Sequence, residues 1–211
     1  MNRAAWAAAA TFAVFAVADW VAVARDHRRA EYVLKPATLA ALVALALLLD
    51  AANGSRQAWF VVALVLSLTG DVFLMLPSDR FVQGLGSFLL AHVAYTIGLN
   101  LDGGRAPALA LSALLVLAAA VPLGVRVTRG ARAHDPRLGV AVTLYVVVIS
   151  AMVVSALATG AAWAIAGALF FYASDALIGW TRFVGDLRGH RLGIMATYHI
   201  GQGALVVSLL S

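Results

Sequence analysis

Eight stretches of about 20 mostly apolar residues follow one another along this chain, the length at which a helix rising 1.5 Å per residue crosses the hydrocarbon of a bilayer. They cover approximately residues 4–24, 32–51, 58–76, 81–101, 106–125, 137–158, 161–182 and 191–211. Backbone groups in lipid must bond internally, so each stretch reads as a helix. The runs are too long and too rich in Ala and Leu for barrel strands. Little of the 211 residues is left for loops. The reading is therefore all-α: a polytopic membrane helix bundle of about eight spans, a single integral membrane domain over 1–211. Composition excludes the alternatives. With 63% hydrophobic and 12% charged residues and a mean hydropathy of +0.93, a soluble globule could not cover its surface, and a disordered or fibrous chain is equally excluded. The chain has no Cys, which removes disulfides, thiolate metal sites and a Cys nucleophile.

The first span has a rival. Arg3, an apolar stretch and Ala22-Val23-Ala24 resemble a signal peptide with a small-residue cleavage site. The stretch is long enough to span, and Arg25, Arg28 and Arg29 after it resist translocation, so it is read as a span.

Basic residues sort by side. The segments after spans one, three, five and seven hold Arg25, Arg28, Arg29 and Lys35; Arg80; Arg126, Arg129, Arg132 and Arg137; and Arg182, Arg188 and Arg191. Arg3, Arg56 and Arg105 fall on the other side, twelve against three. This bias explains the net charge of +5 as membrane topology rather than nucleic-acid binding, and it predicts both termini outside the cytoplasm. The Arg- and Ala-rich usage suggests a bacterial cytoplasmic membrane. A faint repeat is visible too. Gly70-Asp71 and Ser174-Asp175 lie near the basic-loop ends of spans three and seven, 104 residues apart, and His92–Tyr95 falls opposite Ala196–His199 at the same offset. A weak 4+4 internal repeat would produce this.

The informative residues are the polar ones inside spans. A carboxylate or imidazole at depth costs several kcal/mol unless paired or wet, so it marks a functional site. Asp71 and Asp175 sit about 8 and 10 Å in from the basic-loop face. His92 lies about 16 Å in, and Tyr95 shares its helix face. Tyr198 and Gln202, four residues apart in span eight, lie about 10 and 16 Å in. Spans three, four, seven and eight should meet in this layer. Lys35-Pro36 opens span two at the same surface, with Pro36 in a first helical turn and Lys35 placed to hold an anionic head group. Each residue also has an ordinary explanation. The Asp residues could hydrogen-bond Ser67, Ser174 or a neighbouring helix; His92 could be an interhelical donor; the tyrosines could be packing; Lys35 could serve topology. Asp19, near the end of span one, is expected to be in water, His199 to point away from Tyr198, and His27, His134 and His190 to lie in loops. One His and two scattered Asp make a poor zinc set, so neither metal nor cofactor is expected. No HExxH, Walker loop or GxSxG is present.

Leu34-Lys35-Pro36-Ala37-Thr38-Leu39, Gly70-Asp71-Val72-Phe73-Leu74-Met75-Leu76-Pro77, Gly86-Ser87-Phe88-Leu89-Leu90-Ala91-His92-Val93-Ala94-Tyr95, Ser174-Asp175 and Tyr198…Gln202 together resemble the YhhN-like lysoplasmalogenase family of integral membrane proteins. The resemblance runs from about residue 32 to the C-terminus. It implies hydrolysis of the vinyl ether of a lysophospholipid drawn from membrane lipids, releasing a fatty aldehyde and glycerophosphoethanolamine or glycerophosphocholine. The residue types suit that chemistry. A vinyl ether is protonated on its β-carbon, and water captures the resulting oxocarbenium ion. The step needs a general acid that keeps its proton near neutral pH, and an anion or base nearby. Asp71 and Asp175 are expected to share those roles. His92, Tyr95 and Tyr198 would position water or the ether oxygen, and Lys35, Ser174 and Gln202 would bind substrate. The competing reading is a transporter or lipid-binding membrane protein that uses the same residues as a proton relay. A third is a scaffold without chemistry, which would tolerate Ala or Asn at each position.

Overall fold

The computed structural model describes residues 1–101 and 106–210, without the side chains of residues 106–108, 117 and 119. These residues form eight α-helices: α1 (Arg3–Ala24), α2 (Arg28–Leu48), α3 (Gly54–Met75), α4 (Phe81–Asn100), α5 (Ala106–His134), α6 (Pro136–Thr159), α7 (Ala162–Phe183) and α8 (His190–Val207), closed by a 3₁₀ turn, Ser208–Leu210. Seven helices are long and apolar enough to cross a membrane, and the bent α5 brings the number to eight. The chain is an integral membrane protein. Arg105 of the short-side count and Ser211 at the end of the eighth stretch lie outside the described residues.

The helix ends follow from local chemistry. Asn2 caps α1 by accepting from the Ala5 amide at 2.8 Å. Asn53 caps α3 through the Ser55 and Arg56 amides. Asp135 caps α6 ahead of Pro136, whose missing N–H costs nothing at that position. Gly160 ends α6 in the left-handed region at φ 70°, which favours a residue without Cβ. Two boundaries differ from the sequence reading. α2 already begins at Arg28, so Pro36 lies inside the helix, where it withholds a hydrogen bond from the Tyr32 carbonyl. α5 runs on to His134, so Arg126, Arg129 and Arg132 extend a helix instead of forming a loop, and Pro122 sits within it. The helix bends by 51° between Leu109–Val116 and Ala120–His134, where the proline ring crowds the preceding turn.

Consecutive helices pack as antiparallel hairpins, α1 on α2, α3 on α4, α5 on α6 and α7 on α8. The hairpins close into a ring in the order α1, α2, α3, α4, α6, α7, α8, with α5 leaning on α6 and α7 from outside. The displaced α5 breaks the symmetry that two equal four-helix halves would have. At the basic-loop end, Arg191 pairs with Asp26 and takes both Glu31 oxygens at 2.8 and 2.6 Å. Arg182 meets Asp79 at 2.5 Å and holds that carboxyl below the usual carboxylate range. At the other end, Arg56 donates to Ser208 at 3.2 Å and the Ala52 amide to Leu209 at 3.3 Å.

The α7–α8 hairpin carries half of the predicted site residues (Ser174, Asp175, Tyr198 and Gln202), and glycine sets its spacing. A Cβ on Gly201 would lie 2.7 Å from the Phe171 amide nitrogen, and one on Gly167 2.7 Å from that of Leu205. Backbones approach this closely only where both faces are small. Gly201→Ala must push the helices apart, and we expect it to destabilise by about 1–3 kcal/mol, read as a lower melting temperature in detergent.

Candidate functional site

Each sequence-predicted residue lies in the half of the ring nearer the basic loops or at mid-depth, but the residues group into pairs the sequence did not specify. Asp71, 1% exposed on the last turns of α3, is met by Lys35 Nζ of α2 at 2.9 Å and by the Tyr198 hydroxyl of α8, which donates at 2.8 Å. Both contacts favour the carboxylate: an ammonium by charge, a phenol by donating. Ser67, the neighbour offered as an ordinary partner, is buried and its hydroxyl has no hydrogen-bond partner among the described residues.

Asp175 of α7 forms a second centre. The Tyr145 hydroxyl of α6 donates to its Oδ2 at 2.5 Å, and His92 Nε2 of α4 lies 3.4 Å from the same oxygen. The tautomer of His92 follows from its other nitrogen. Nδ1 is 2.6 Å from the Phe88 carbonyl, which can only accept, so Nδ1 carries the hydrogen. A neutral ring then turns the Nε2 lone pair toward the Asp175 carboxyl, and two acceptors repel unless a proton lies between them. Nε2 makes no other hydrogen bond among the described residues. The pair thus has room for one proton on the Asp175 side, unlike the Lys35-held Asp71.

Aromatic rings separate the two centres. Phe171 stacks obliquely on His92 with centroids 4.6 Å apart and edge-on to Tyr198 at 5.3 Å; Phe88 closes on Tyr198 at 5.9 Å. Two cavities lie near these centres. One is apolar, lined by Leu74, Phe81, Leu85, Phe88 and Val142 with Asp175 and Tyr145 in its wall. It shares Gly124 and Val146 with a further apolar groove along α5 and α6. The other cavity is polar, opens among α1, α2, α3 and α8, and is lined by Asp19, Arg28, Glu31, Lys35 and Arg191.

The remaining predicted residues sit apart from both carboxyls. Tyr95 donates to Gln202 Oε1 at 2.5 Å, both fully buried. Ser174 donates to the Ile194 carbonyl at 3.1 Å and joins α7 to α8. Three residues escaped the sequence. Tyr145 reads there as ordinary packing, being uncharged in an apolar run. Asp19, expected in water, has 0% exposure, because α8 and α2 close over the end of α1. His199 is likewise buried and accepts from the Trp20 indole N–H at 3.1 Å through Nδ1. Among the described residues no group of three or more His, Cys, Asp or Glu side chains could hold a metal.

The chain is 38% identical over 159 residues to a lysoplasmalogenase of Mycobacterium tuberculosis (strain CDC 1551 / Oshkosh), covering 72% of this chain and 60% of that protein. It is 33% identical over 150 residues to lysoplasmalogenase TMEM86B of Homo sapiens, 70% and 62% of the two chains, and 32% identical over 160 residues to that of Sus scrofa, 75% and 66%. The chain thus spans about 60% of the length of the mycobacterial relative. No solved structure matches it. The profile of the YhhN family matches residues 30–209, from the first turn of α2 into the 3₁₀ turn after α8, and the chain belongs to that family.

Proposed function

We propose that this protein hydrolyses the vinyl-ether bond of lysoplasmalogens, releasing a fatty aldehyde and a glycerophospho-base. The observation that carries the reading is the Asp175–His92 contact, 3.4 Å between two groups that need a proton between them, set in the wall of an apolar cavity. The names of the relatives support the same substrate. The alkenyl chain lies in the apolar cavity, with its first double bond at Asp175. The Asp175 carboxyl gives its proton to the β-carbon, and the C–O bond gains double-bond character as an oxocarbenium ion. Water adds to the oxygen-bearing carbon and returns a proton to Asp175. The hemiacetal then breaks to aldehyde and alcohol. Asp71, held by Lys35 and Tyr198, supplies a second carboxylate whose charge stabilises the cation. Tyr145 and His92 orient the acid. Lys35 has donors left over for phosphate.

The test is to purify the protein in detergent, supply lysoplasmenylethanolamine and measure aldehyde. Release that depends on Asp175 and Asp71 supports the reading, and absence of aldehyde overturns it. We infer further that the protein works as one domain in a bacterial cytoplasmic membrane, with the basic loops inside and both termini outside. The native chain has no Cys, so single cysteines report sidedness. Gly185→Cys is expected to label only from the cytoplasmic side and Gly54→Cys only from outside.

A further inference from the structure

We propose that the polar cavity among α1, α2, α3 and α8 is a head-group site for a zwitterionic lysophospholipid, with the Asp19 carboxylate receiving the amine and Arg28 and Lys35 the phosphate. The inference rests on the reading of the substrate as a lysolipid, and it adds a residue of α1, outside the part of the chain that the family profile matches.

Charge bookkeeping in the cavity wall leads to it. Of the groups there, Glu31 is fully taken by Arg191, which also holds Asp26. Lys35 gives one donor to Asp71 at 2.9 Å and keeps two. Asp19 differs from the rest. It is 0% exposed, lines the cavity, and neither of its oxygens has a hydrogen-bond partner among the described residues. A buried carboxyl without donors is costly, so Asp19 calls for a cationic or donating visitor. The Arg28 guanidinium, at the same cavity, has no hydrogen bond or ion pair among the described residues. An unanswered anion next to cationic donors with spare N–H groups is the complement of phosphoethanolamine or phosphocholine: a positive amine tethered to a negative phosphate. The site lies at the basic-loop surface, where a lysolipid presents its head group while its chain runs into the bundle. Leu74 lines both this cavity and the apolar one, so the two ends of one lipid meet the two cavities on either side of that residue.

Non-hydrolysable 1-O-alkyl lysolipids separate this proposal from the hydrolysis itself, because they report binding whether or not the protein cleaves anything. Wild-type protein in detergent is titrated with the alkyl lysophosphoethanolamine and with the alkyl glycerophosphate, which lacks the amine. We expect the zwitterion to bind about tenfold more tightly, the scale of one charge-assisted contact, and Asp19→Asn to abolish that difference. With alkenyl substrates, the ratio of kcat/KM for the ethanolamine lipid over the amine-free lipid is expected to fall by a similar factor in Asp19→Asn. Equal affinity of the wild-type protein for the two alkyl lipids, or an unchanged ratio in Asp19→Asn, overturns the proposal. The wild-type comparison stands even if the variant fails to fold. A selective, Asp19-dependent binder that releases no aldehyde would keep the head-group site and remove the hydrolytic function. Displacement of the alkyl lipid by chain-free glycerophosphoethanolamine at equal concentration would overturn the assignment to a lipid.

Discussion

Asp175→Asn is expected to lower kcat for aldehyde release by about 10²- to 10⁴-fold, the contribution of a positioned general acid, with little change in KM. The substitution keeps the shape of the side chain, and the amide oxygen still accepts from the Tyr145 hydroxyl, which donates to Oδ2 at 2.5 Å in the native protein. What it removes is the transferable proton. His92 Nε2 faces that same oxygen at 3.4 Å, so the amide keeps the Tyr145 contact but offers no acidic proton and cannot protonate carbon. The variant should therefore fold, bind lipid and fail in the chemical step. Because a loss confined to kcat removes an interaction made in the transition state, the kcat-against-KM split distinguishes this outcome from a general loosening of the site.

Lys35→Met is expected to destabilise by about 3–5 kcal/mol, the cost of leaving a buried charge without its partner. The size follows from burial. Asp71 is 1% exposed, and among the described residues the one cation in contact with it is Lys35 Nζ at 2.9 Å. The remaining donor, the Tyr198 hydroxyl at 2.8 Å, is neutral and cannot compensate alone. The double variant Lys35→Met/Asp71→Asn removes both charges and is expected to recover most of the lost melting temperature, because replacing a whole buried pair is often near neutral. The double variant should nonetheless release aldehyde slowly, since the Asp71 anion is gone. Melting temperatures of the two single variants and the double form a cycle; additive losses would mean that the pair does not act as a unit.

The parts legible in the sequence were those with an energetic reason to stand out. Asp71, His92 and Asp175 interrupt runs of Ala, Leu and Val, and a polar group in hydrocarbon is expensive enough to be noticed. Spans were legible for the converse reason, since twenty apolar residues have few alternatives to crossing. Partnership was not legible. Nothing in the spacing says that Asp71 goes to Lys35 and Tyr198 while Asp175 goes to His92 and Tyr145, because that depends on how the ring closes and on α5 standing outside it. Tyr145 was invisible because a tyrosine in an apolar run is usually packing. For Asp19, position near a span end suggests water, whereas the packing of α1 against α2 and α8 buries it. Arg126, Arg129 and Arg132 read as a loop in the sequence, whereas their long stems can lie along a helix that continues past the hydrocarbon.

The central claim is that Asp175 delivers a proton to the β-carbon of a vinyl ether. The most direct measurement runs the purified protein in D₂O with lysoplasmenylethanolamine, traps the aldehyde as it forms and determines its isotopic content beside that from Asp175→Asn. The account predicts one deuterium at the carbon next to the carbonyl, a slower rate in D₂O than in H₂O, and almost no product from the variant. Aldehyde without deuterium, or equal release by the variant, would contradict it.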